Sequence, residues 1–179
     1  MKLSTEDAQL FYDLWFPLLD HVNQNHHITG MPIKFTGEKV DPNDAGIVAD
    51  FLWDRPELID HYLKEAELSV ENREIVSGWK RRIRGSFYLE RHLKRGSIMV
   101  SNGGNNVYRV LGLFSSWEEM FGFRPLPVLI KATLLPFKGK IISDGLVIPY
   151  NVMFGGNIKS ELRQCYMSAK KNGRIITSI

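Results

Sequence analysis

Near residue 84 the apolar pattern of this chain changes its period, and nothing else in the sequence constrains the fold as much. Before that point apolar residues recur every three to four positions, as one face of a helix requires. After it they alternate among β-branched and aromatic residues, as a two-faced strand requires.

In the first part, Leu10, Phe11, Leu14, Trp15, Leu18, Leu19 and Val22 form one wide stripe, predicting a helix over about 4–25. Pro17 removes a backbone donor and crowds the preceding turn, which predicts a kink or break there. Asp41 followed by Pro42 reads as an N-cap and first helical position, opening a second helix that ends near Asp54. Pro56 starts a third, with Leu58, Ile59, Tyr62 and Leu63 on one face. Ser69 caps a fourth, which is expected to carry Ile75, Val76, Trp79 and Ile83.

Six strands follow, over 87–93, 97–101, 107–115, 128–135, 140–142 and 146–154. The joints have turn chemistry: Lys94-Arg95-Gly96, the Gly103-Gly104 stretch, and Asp144-Gly145, which reads as a two-residue hairpin. Ser116 caps a brief helical turn. Gly155-Gly156 leads into a last helix with Leu162, Tyr166 and Ala169 on its apolar face, and 174–178 adds a final strand. The expectation is an α+β protein: a helical unit, 1–84, packed on an antiparallel, barrel-like sheet with a C-terminal helix, 85–179, since closure hides the edges of short strands.

Charge divides at nearly the same place. Residues 1–76 hold 6 Lys and Arg against 15 Asp and Glu, whereas residues 77–179 hold 17 against 5. Such a division signals either an anionic partner for the basic part or two halves that face each other. No apolar run reaches the ~20 residues of a membrane helix, and MKLSTEDAQL lacks the basic-then-apolar order of a signal peptide, so a cytoplasmic protein with no membrane partner is expected. The single Cys165 excludes an intrachain disulfide and fits a reducing compartment.

Seven basic residues lie within 80–95, interleaved with Phe87, Tyr88 and His92. Cations neutralise phosphates and aromatic rings stack on bases, so Arg81, Arg82, Arg84, Tyr88, Arg91, Lys94 and Arg95 are the candidate binding residues for an anionic partner, protein or nucleic acid. The sheet, or a cleft between the units, would present them. The competing reading is a basic helix end that complements its own dipole, within a scaffold whose charges face inward. Gly155-Gly156 opens a helix and could hold an anion near Lys159, although a strand-to-helix turn explains it more simply.

Nothing in the sequence calls for a cofactor or a metal. A second function class, a small hydrolase or metal-dependent enzyme sited where the units meet, would draw on His21, Glu57 and His61, the last two sharing a helix face at i, i+4. The H-E-x-x-H, G-x-S-x-G and P-loop patterns are all missing. Cys165 has no histidine nearby in sequence to act as its base, and packs as a small hydrophobe.

The segment 134–146, LLPFKGKIISDGL, together with the closing GRIITS of 173–178, resembles a stretch shared by bacterial proteins of unknown function. The resemblance covers the C-terminal third of the chain. It implies a bacterial origin and carries over no catalytic residue.

Overall fold

The computed structural model describes residues 1–30, 42–104 and 106–179. The chain is α+β and divides into two units: Thr5–Lys80, and Met1–Ser4 with Arg81–Ile179.

The first unit is helical, with α1 (Thr5–His26), α2 (Pro42–Asp54), α3 (Glu57–Glu65) and α4 (Val70–Gly78). The expected cap Asp41 lies outside the described residues. Pro17 does not break α1, which runs from Thr5 to His26. An interior proline costs about 3 kcal/mol. Leu14, Trp15, Leu18 and Leu19, all buried around it, outweigh that cost, since each large apolar side chain contributes ~1.5–3 kcal/mol on burial. Trp15 stacks on Trp53 of α2 with ring centroids 5.1 Å apart and meets Trp79 edge-on at 5.7 Å.

Ser69 Oγ accepts from the Asn72 N–H at 3.2 Å and starts α4 where the sequence predicts. The helix stops at Gly78, however, earlier than expected. A 3-10 turn (Trp79–Arg81) follows, and Ile83 belongs to the sheet, where it opposes Leu134.

The second unit contains β1 (Ile83–Leu93), β2 (Gly96–Ser101), β3 (Val107–Val110), α5 (Trp117–Phe121), β4 (Val128–Phe137), β5 (Lys140–Ser143), β6 (Ile148–Pro149), α6 (Gly156–Lys171) and β7 (Ile175–Ile176). These strands form one sheet in the order β5-β4-β1-β2-β3-β7, with β6 beside the first half of β4. The expected antiparallel sheet is corrected at one edge. Return of the chain through α6 lays β7 parallel to β3, which makes the sheet mixed. Nor does the sheet close into a barrel. Leu111 N–H donates to Ile141 O at 2.9 Å across the gap between β3 and β5, but no strand ladder runs there among the described residues.

The expected Asp144-Gly145 hairpin does not form. Asp144 is buried, donates its N–H to Thr133 O at 3.1 Å and accepts from the Leu146 N–H at 3.1 Å, so the chain leaves β5 and pairs next with β4. Lys138-Gly139 joins β4 to β5, both residues at positive φ, as a two-residue hairpin requires. The long strands expected over 107–115 and 146–154 shrink to Val107–Val110 and Ile148–Pro149.

Each face of the sheet has its own core. On one face Phe87, Leu89, Met99, Tyr108 and Ile130 pack with Trp117 and Phe121 of α5; on the other Ile98, Val100 and Val107 pack with Leu162, Tyr166 and Ala169 of α6.

Candidate anion-binding surface

Strand β1 spreads the candidate basic residues instead of gathering them. Arg81 ends the 3-10 turn and is exposed; Arg82 and Arg84 are half-buried, with Arg84 opposite Thr133. Lys94 and Arg95, both exposed, form the tip of the β1–β2 hairpin. At ~3.3 Å per residue, Arg84 and Lys94 stand roughly 30 Å apart. Lys80 is paired with Asp60 at 2.6 Å within the helical unit.

Between these ends β1 carries a bulge. Leu89 opposes Met99 while Arg91 opposes Ile98, so Glu90 is the extra residue. The bulge turns Arg91 onto the face covered by α6. Its guanidinium lies over the Tyr166 ring, 4.0 Å from the centroid, and is held by the nearly buried Glu90 carboxylate. The Glu90 hydrogen bond raises the Arg91 pKa above that of a free guanidinium. Arg91 is thus a clasp between strand and helix. Tyr88, on the same face, donates to Asn102 Oδ1 at 3.5 Å and meets Phe154 edge-on at 5.3 Å.

Strand register adds a residue that the linear sequence does not single out. Ile98 pairs with Arg91 on one side and Arg109 on the other, so both arginines lie in one transverse row on the α6 face, about 10 Å apart. Arg109 Nε is buried without a hydrogen-bond partner among the described residues.

Helix α6 supplies more cations. At 100° per residue, Lys159, Arg163 and Lys170 fall within a sector of about 40° that spans ~17 Å of the helix, next to the position of Tyr166. All three are exposed and none enters an ion pair among the described residues. Glu161, the helix's one acid, projects from the other flank. That other flank also carries Cys165, whose Sγ abuts Gly104 in the β2–β3 connection. The apolar face of α6, Leu162, Tyr166 and Ala169, packs with Ile98, Val100 and Val107, so that its Tyr166 flank meets Arg91 and its Cys165 flank meets the β2–β3 connection. The basic flank therefore faces the end of the sheet that holds the hairpin tip. The spacing 159, 163, 170 on a recognised helix was the available signal for this row; Arg109 required the strand register.

Where the row begins, Lys159 lines an open groove of about 320 Å³ with Arg124, Pro125, Pro127, Tyr150 and Phe154 among its walls. Among the described residues no carboxylate lines it.

The residues of the enzymatic alternative lie in the helical unit. His21 and His61 line a cavity of about 380 Å³ with His26, Lys64 and Glu65, whereas Glu57 does not reach it. His21 Nδ1 stands 3.8 Å from Glu65 Oε2, Nε2 is 3.0 Å from Asn25 Nδ2, and the ring packs on Tyr62. Among the described residues no group of three or more His, Cys, Asp and Glu is arranged to hold a metal, and no helix is long and apolar enough to cross a membrane.

Comparison with protein-family models, curated proteins and solved structures finds no match to this chain.

Proposed function

We propose that the protein is a non-enzymatic binding module for an anionic partner, engaged by the basic flank of α6 and the hairpin tip it faces. The observation that carries this reading is the exposed row Lys159, Arg163 and Lys170 on the flank of α6 next to Tyr166, over whose ring Arg91 is clasped. Like charges gathered in one row repel one another, and an anionic partner relieves that repulsion. Arg91 and Tyr88 then act mainly by position, tying β1 to α6 and to Phe154, while Arg81, Arg82 and Arg84 form a second, separate basic end of the strand. The single Cys165 supports a reducing, cytoplasmic setting.

Elution from a heparin column tests this. Late, salt-dependent elution that moves earlier in the double variant Arg163→Glu, Lys170→Glu is expected. Unretarded elution of the parent protein contradicts the reading.

A further inference from the structure

The groove at the start of the basic row has walls unlike those needed for a simple anion. We infer that it takes unpaired bases of a single-stranded nucleic acid whose phosphates run along α6; the inference rests on the anion-binding reading and names its ligand.

Flat apolar groups line the groove. Tyr150 is 39% exposed, yet its position is fixed at two points: its N–H donates to Leu129 O at 2.9 Å, and its hydroxyl lies 3.3 Å from Ser86 Oγ. Phe154 is held by the ring of Tyr88. Pro125 and Pro127 complete a wall with no backbone donor to satisfy. A ring held before binding loses little entropy when a base stacks on it, and every base has a face to offer.

Charge is complementary as well. Arg124 and Lys159 carry the charge among the residues that line the groove, and both are cations. Lys159 also begins the α6 row, so bases in the groove and phosphates along Arg163 and Lys170 form one continuous path. Bases stacked inside a duplex cannot enter such a groove.

Fluorescence anisotropy with a labelled poly(dT) strand of about 12 nucleotides, within the site sizes of single-strand binders, tests the inference against a duplex of equal length and against inorganic polyphosphate. The parent should bind the single strand more tightly than the duplex. Tyr150→Leu should weaken single-strand binding about tenfold while leaving polyphosphate binding unchanged. Phe154→Leu, which keeps an apolar side chain, serves as a second variant should the first unfold. Equal binding of strand and duplex, or equal weakening of strand and polyphosphate in both variants, overturns the inference and leaves the anion-binding reading standing. Failure of all three probes to bind overturns both.

Discussion

The guanidinium of Arg91 rests over the ring of Tyr166, 4.0 Å from its centroid, and joins the bulged strand β1 to helix α6. The bulge makes this possible, because in an unbulged strand Arg91, two residues on from Leu89, would share the α5 face with it. The clasp holds α6, and with it the row Lys159, Arg163 and Lys170, at a defined place on the sheet.

A double-mutant cycle on Arg91→Met and Tyr166→Leu should give a coupling energy of about 1 kcal/mol, as expected for a partly shielded cation–π pair. Arg91→Met alone should cost more than the coupling, since it leaves the nearly buried Glu90 carboxylate without its partner. Urea midpoints of the four proteins measure this, and strictly additive effects would refute the clasp.

His92 predicts a loss of stability in mild acid. Its Nδ1 bonds Ser97 Oγ at 2.9 Å, its Nε2 is buried without a partner among the described residues, and burial lowers its pKa, only partly opposed by Glu118 of α5. The unfolded chain therefore takes up this proton first, as pH falls through about 6.5, so the contribution is intact above that value and is lost as pH drops toward the folded pKa. Denaturation at pH 7.5 and pH 5.5 should give a smaller difference in His92→Gln than in the parent.

Gly112 should tolerate no side chain. A Cβ there would lie 2.0 Å from Ser115 O and 2.8 Å from Ser116 Cα, both backbone atoms, at the point where Leu3 N–H donates to Gly112 O at 3.0 Å. Gly112→Ala is expected to cost about 3 kcal/mol or more, seen as a lowered thermal midpoint. An unchanged midpoint would show that the loop before α5 rearranges freely.

Local patterns were legible in the sequence to the extent that short-range physics decides them. The stripe around Trp15, the Ser69 and Ser116 caps and the alternation from Phe87 onward specify elements through contacts within a few residues. What escaped depends on pairing across long separations. Asp144-Gly145 has hairpin composition, but hydrogen bonding to Thr133 decides where the chain goes next. The basic run 80–95 looks like one patch only while it is read as a line. As a strand it has two ends and a clasped middle, and its partners Arg109, Arg163 and Lys170 come from elements that the line keeps apart.

The most direct measurement is the salt dependence of single-strand binding in the parent, in Arg163→Gln with Lys170→Gln, and in Arg81→Gln with Arg82→Gln. Each lost phosphate contact lowers the slope of log K against log salt concentration by about 0.7. A slope reduced by roughly 1.4 in the α6 pair and unchanged in the Arg81, Arg82 pair is the predicted result. The opposite assignment, or no binding at all, would contradict the account.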